Sequence, residues 1–383
     1  METRRPLTMA DDFLPVSAPL IEEDDVAAVV DCLRSGWITT GERAAALEAE
    51  LSRRCEGRTV VALSSCTAAL QLSMVLAGIG EGDEVVTSPL SFVAAVNVLV
   101  QAGATPVLAD VEPDTLNLSV ESVASRITPR TRAVLPVHHG GLPCDLPALS
   151  ALAAEHELVV IEDAAHALGA SSGGRPVGAW SPFTAFSFHA LKNATSAEGG
   201  ALVLEDASLE ERARRLSLHG LSRAAWRRKS GMQWRYEVEE PGFKANLSDL
   251  QAALGLSQLR KLDAWNDRRR ELSTRYREGL AEHPWLRPLA LRDGRVSSAH
   301  LFVVRLSDDA PCTRDELAES LHEQGIGTSV HFQPVHRFTA HRERFAGVEL
   351  PSCESAADRI LSLPLHPGMR DADVERVVAA LAT

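Results

Sequence analysis

Three short segments carry residue types whose spacing suits catalysis. In ELVVIEDAAHALGA (157–170) an apolar run ends on Asp163, and His166 follows three residues later. A carboxylate closing a buried strand stands where open α/β sheets bind ligands. The same pair also reads as a turn-capping aspartate and a satisfied core histidine. In FTAFSFHALKNATSAEGGALVLED (183–206), Ser187 and Lys192 precede the pair Gly199-Gly200. Lys192 sits among aromatic, hydroxyl and small residues, where partial desolvation would lower its pKa and make the amine nucleophilic toward carbonyls. An ordinary surface lysine is the competing reading. In VVALSSCTAAL (60–70) a strand runs into Ser64-Ser65-Cys66-Thr67 and directly into a helix. Helix N-terminal N–H groups suit a phosphate, as they also suit a plain cap. No paired base accompanies Cys66 to make it a catalytic thiol.

Taken together, a phosphate cradle, a carboxylate for a pyridine nitrogen and a Schiff-base lysine are the requirements of pyridoxal 5′-phosphate. Only four of the 39 basic residues are lysines. Lys229 lies in the basic run RRKS and Lys261 on the outer face of a helix, so Lys244 in PGFKAN is the remaining rival of Lys192.

The elements that must position these residues follow from hydrophobic patterning. TVVAL (59–63), EVVTS (84–88), TPVLADV (105–111), RAVLPV (132–137), ELVVIED (157–163) and ALVLED (201–206) read as strands. The segments 67–80 and 93–101 read as helices. Strands apolar on both faces and separated by helices predict a parallel sheet covered on both sides. The stretch 219–242 is polar and reads as a functional or interface loop. Beyond it, 247–276 has helical spacing and a Ser248/Asp249 start. Strand 301–306 and helices 313–324 and 371–382 then predict a smaller C-terminal α+β domain, with the boundary set at 1–260 and 261–383.

The chain has 383 residues, 45% hydrophobic and 24% charged, and a formal net charge of −13. So acidic a protein is a poor unspecific nucleic-acid binder. No stretch has the roughly 18 apolar residues of a spanning helix, and METRRPLTMADDF shows no apolar core of a secretory signal. Six scattered cysteines without C-x-x-C spacing point to a reduced cytoplasmic protein with neither disulfide framework nor metal site.

At these same segments the chain resembles the DegT/StrS nucleotide-sugar aminotransferases, fold-type-I pyridoxal phosphate enzymes. The resemblance runs through SGWITTG (35–41), SSCTAAL, GIGEGDEVV (78–86), ITPRTRAVLPVHHGGLPCDL (127–146), IEDAAHALGA, FSFHALKNATSAEGG, PGFKANLSDLQAALGLSQL (241–259) and GIGTSVHF (325–332). SGWITTG, the FSFHA–KN segment and the long loop after RLSLHG are most similar to the branch forming UDP-4-amino-4-deoxy-L-arabinose. The resemblance implies that Lys192 bonds the cofactor and shuttles the proton, that Asp163 pairs with the pyridine nitrogen and that His166 contacts the ring oxygen. It further implies that Phe92 stacks on the ring, and that Cys66 and Thr67, with Ser187, hold the phosphate. Asn246 would come from the neighbouring subunit of a homodimer, and His331 would approach the sugar nucleotide. Two positions depart from the family's pattern: His139, in HHGG, replaces an aromatic near the substrate path, and Cys66 stands where glycine or alanine is frequent.

The expected reaction is a ping-pong transfer from glutamate to the 4-keto group of a UDP- or dTDP-linked sugar, with a 3-keto sugar as the alternative. A sugar 3-dehydratase of this fold would carry histidine in place of Lys192. A non-catalytic binding protein would not need Lys192, Asp163, His166 and Ser187 together.

Overall fold

The computed structural model describes residues 13–222 and 237–382. The amino-terminal segment through residue 12 and most of the loop read at 219–242, Lys229 included, lie outside the described residues.

The core is a seven-stranded sheet in the order β1-β9-β8-β5-β4-β2-β3. Its strands are β1 (Thr59–Leu63), β2 (Glu84–Thr87), β3 (Thr105–Leu108), β4 (Thr131–Leu135), β5 (Val159–Asp163), β8 (Phe183–Ser187) and β9 (Gly200–Leu204). Between β5 and β8, β6 (Ser171–Ser172) and β7 (Arg175–Pro176) pair with β11 (Arg295–Val296) in a small separate sheet. The alternation of side chains along each strand explains why both faces are apolar. Val61 and Leu63 of β1 join one core, under α3 (Cys66–Leu76), α4 (Ala94–Gln101) and α7 (Glu210–Leu216). Val60 and Ala62 join another, packed by α2 (Glu42–Arg54) and the start of α8 (Asp249–Gly279). Further along that face, α5 (Val120–Arg126) and α6 (Leu146–Glu155) cover Val86 and Val134. Helix α1 (Glu23–Arg34) lies against α8, where Lys261 bonds Glu22, Asp24 and Asp25.

One expectation needs correction. The strand read at 201–206 is antiparallel to both neighbours, β1 and β8. A parallel return requires a crossover, usually a helix, and residues 188–199 form none. The chain instead doubles back, and this hairpin connection holds Lys192.

Helix α8 opens on the Ser248 capping box with Gln251 and runs unbroken for 31 residues. Leu259 and Leu262 serve the sheet core, whereas Leu272 and Tyr276 serve a second one. That second core belongs to an antiparallel sheet of β10 (Leu286–Pro288), β12 (Phe302–Leu306) and β13 (Ile360–Leu363), backed by α9 (Arg314–Glu323) and α11 (Asp371–Leu381). Position 260/261 therefore falls within a continuous helix that ties the two cores together. Helix α10 (Pro351–Ala357) packs beside β13, and Leu14 returns to pair with Ile326. No described helix is long and apolar enough to cross a membrane.

Candidate active site

Strands β1, β5 and β8 run in one direction, so their carboxyl ends share one sheet edge, where ligands bind in this architecture. A cavity of about 450 Å³ opens there. Eight residues singled out in the sequence line it: Cys66, Thr67, Phe92, Asp163, His166, Ser187, Lys192 and His331. Asn246 does not. In its own chain its amide donates to Thr40 Oγ1 (2.6 Å) and it pairs with Leu63 at the end of β1. Lys244, the rival lysine, bonds Asn246 Oδ1 and is absent from the cavity wall.

At the floor, Asp163 is buried and its Oδ1 accepts the N–H of Ala165 at 3.1 Å. Burial pushes the Asp163 carboxyl up, opposed by that N–H and by the charge of Lys192. Burial likewise lowers the Lys192 amine, opposed by Asp163. A carboxylate and an amine thus face one cavity, each poised closer to neutrality than in water.

Beneath Asp163, Glu162 and His138 are wholly buried and bonded at 2.8 Å, with Thr184 Oγ1 donating to the other Glu162 oxygen. The N–H of Cys144 points at His138 Nδ1 (3.1 Å), so that nitrogen keeps its lone pair and Nε2–H donates to Glu162. His138 N–H also donates to the Asp163 carbonyl, so this buried network fixes the backbone that carries the carboxylate.

The opposite end is the N-terminus of α3. Ser65 caps it by accepting Ala68 N–H, which leaves the first-turn N–H groups before Ala68 without helical partners. Gly200 makes room there: a Cβ on it would lie 2.3–2.6 Å from the backbone of Ser65 and Cys66. The Cys66 thiol faces the floor, 3.8 Å from Asp163 Oδ1 and 3.5 Å from the Ala185 carbonyl. Burial, reinforced by the charge of Asp163, pushes that thiol well above the ordinary thiol pKa.

Above the floor, His166 Nδ1 is buried without a hydrogen-bond partner. Its ring packs 4.3 Å from His300 and stacks at 5.6 Å on Phe332. Burial keeps His166, His300 and His139 below the ordinary histidine pKa and brings His331 down to about 4. His139 Nε2 bonds the His331 carbonyl at 2.7 Å, and His331 Nδ1 bonds Ser362. Phe92 is 63% exposed and lies in the cavity, an uncommon setting for an aromatic ring unless something covers it.

Several lining residues were not singled out in the sequence. His300 anchors through Nδ1 to Asn193, whose amide in turn reaches Asn266 of α8 and the Ser298 carbonyl. Asn193 adjoins Lys192, so this chain of bonds holds the lysine loop to α8. Phe332, Ser329, Ser17 and Glu198 also line the cavity.

A free helix N-terminus relieved by a glycine, a buried carboxylate, an orphaned histidine nitrogen, an uncovered aromatic ring and a half-buried amine together fit pyridoxal phosphate. Residues 19–382 match the DegT/DnrJ/EryC1/StrS aminotransferase family. The chain belongs to that family. Among solved structures it is similar to the aminotransferase TlmJ from Streptoalloteichus hindustanus, with 36% identity over 96% of this chain and 98% of that one and a TM-score of 0.89. DesV from S. venezuelae, solved in complex with a ketimine intermediate, shares 37% identity over 94% and 93% of the two chains, with a TM-score of 0.86. Spr1654 from Streptococcus pneumoniae, solved in its PLP form, shares 32% identity over 97% and 98%, with a TM-score of 0.89. The protein is thus an aminotransferase of the DegT/DnrJ/EryC1/StrS family, with the family's fold across nearly its whole length.

Proposed function

We propose that this aminotransferase uses pyridoxal phosphate to move an amino group from glutamate to C4 of a 4-keto sugar linked to UDP or dTDP. The observation that carries the cofactor reading is the meeting of Lys192 and Asp163 in one cavity with the glycine-relieved N-terminus of α3. The sugar reading rests on the likeness of SGWITTG, FSFHA–KN and the segment after RLSLHG to the branch forming UDP-4-amino-4-deoxy-L-arabinose.

The residues have separable tasks. The bound cofactor supplies a ring that carries the amino group between half-reactions and takes up the electrons of a carbanion. The first-turn N–H groups of α3, with Thr67 and Ser187, hold its phosphate, and Phe92 covers the ring. Asp163 places a negative charge at the ring nitrogen. His166 Nδ1 serves the ring oxygen. Lys192, its pKa lowered by burial, presents more neutral amine near pH 7 than a solvated lysine. Nζ takes the proton from the donor's α-carbon and returns it at the paired carbon, as a positioned general base and acid. His331, held neutral, adds a polar edge on the sugar side without a competing cation.

The active unit is proposed to be a cytoplasmic homodimer. Val26, Leu33, Trp37 and Ile38 leave large apolar surface exposed on and just after α1. An apolar patch of this kind favours a protein partner, and a second copy would supply Asn246 to the neighbouring site.

Incubation with ¹⁵N-glutamate and a 4-keto nucleotide sugar tests the reading. It predicts ¹⁵N at sugar C4 in the product NMR spectrum. Label at C3 of a 3-keto substrate alone contradicts the sugar position, and absence of label transfer from glutamate contradicts the donor.

A further inference from the structure

A second cavity, of about 290 Å³, lies between the second half of α8 and the β10–β12 side of the small domain. Arg270, Arg277 and Arg295 line it together with Ser273 and Thr274, and none of its lining residues is a carboxylate. Three arginines thus gather in a chain of net charge −13. Two of the three arginines are neutralised from outside the cavity. Arg270 pairs with Asp267, and Arg295, its side chain only 10% exposed, pairs with Asp145. Arg277 pairs with no carboxylate among the described residues. One of its nitrogens donates to the Leu289 carbonyl at 2.7 Å, and its guanidinium lies 5.8 Å from the Phe302 ring. Arg277 Nε and Arg295 Nη1 are both buried without hydrogen-bond partners. A guanidinium partly removed from water without an anion carries a cost, and partial burial accordingly pushes Arg277 below the ordinary arginine pKa. The remaining wall is apolar, and Leu291 and Val296 stand half-exposed.

We propose that this cavity is an accessory binding site for a small carboxylate with a short hydrocarbon body, its carboxylate paired with Arg277. A planar guanidinium fork matches a carboxylate geometrically. The apolar wall suits a hydrocarbon body better than the hydrated surface of a free inorganic ion. The volume, near the low end for ligand pockets, sets the size of the body at a few carbons. The site shares a wall with the active cavity: Leu301 lines both, and His139, which borders the accessory cavity, bonds the His331 carbonyl.

Calorimetric titration of the holoenzyme with hexanoate, and separately with inorganic phosphate, tests the site. Saturable hexanoate binding is expected, weakened roughly tenfold or more in Arg277→Leu, as loss of a charge-assisted bond requires. Leu291→Asp provides a second variant that leaves the buried wall untouched. Leu291 is 54% exposed, and the new carboxylate should repel hexanoate while the thermal midpoint stays near the parent's. Absence of saturable hexanoate binding overturns the proposal. So does binding that neither variant weakens, since it places hexanoate in another cavity. Binding of phosphate without hexanoate overturns the carboxylate assignment.

Discussion

Lys192 and Asp163 each pull the other toward its charged form while burial pulls both toward neutrality, and in the proposed mechanism this balance would make the lysine reactive. Lys192→Ala should lower transamination by about 10⁴-fold or more, the scale of a lost general base and nucleophile, as read from single-turnover rates. Thermal stability should change little, because Lys192 is half-buried and bonds no carboxylate directly. The cavity histidines predict a pH effect of definite sign. The unfolded chain takes up a proton on His331 near 6.5, whereas the native chain resists until about 4. Between those values the unfolded state binds more protons, so stability falls as pH falls through this window. The urea midpoint should therefore drop between pH 7 and 5, and drop less in His331→Gln. Lys192, Asp163 and His166 were legible because each lies in a short local segment with its own signal. His300 was not: folding brings it to His166 from more than a hundred residues away, and no local spacing records that.

At the level of elements, the approach of β9 to the start of α3 decides whether a phosphate cradle exists. Gly200→Ala would force its Cβ against the backbone of Ser65 and Cys66, and backbone cannot step aside as a flexible side chain can. Overpacking of this kind costs about 1–3 kcal/mol. It should appear as weaker cofactor binding in a fluorescence titration, while far-ultraviolet circular dichroism stays close to the parent's. Parent-like affinity would remove Gly200 from the cradle. Strands β1 to β5 were readable from β-branched apolar runs. Strand β8, FTAFS, is not among the strands read from the sequence. Its small and aromatic residues serve both faces, Phe183 and Ala185 one core and Phe186 the other, which erases alternation. The direction of β9 was hidden for a related reason, since apolar runs look alike in parallel and antiparallel strands. Helix α2 did carry a signal, in Ala44, Leu47 and Leu51 at helical spacing. It precedes the alternating region on which the sheet expectation rests.

For the whole molecule, the exposed apolar residues around α1 and the position of Asn246 outside its own cavity belong to one account. The proposed homodimer would account for both. Leu33→Glu combined with Val26→Glu should shift sedimentation from dimer to monomer and abolish transamination together, with protomer melting preserved, because both side chains are exposed. A fully active monomer would separate the patch from the site. The sequence shows a long helical pattern over 247–276, but not that one helix serves both cores; that appears only where Leu259 and Leu262 pack into one and Leu272 and Tyr276 into the other. The central claim, that Lys192 holds a pyridoxal cofactor which glutamate converts, is tested most directly by the absorption spectrum of the purified protein before and after glutamate. The account predicts a visible band that fades on adding glutamate, recovers with a 4-keto nucleotide sugar and is absent in Lys192→Ala. A protein that shows no such band with pyridoxal phosphate, or whose band survives in Lys192→Ala, would contradict it.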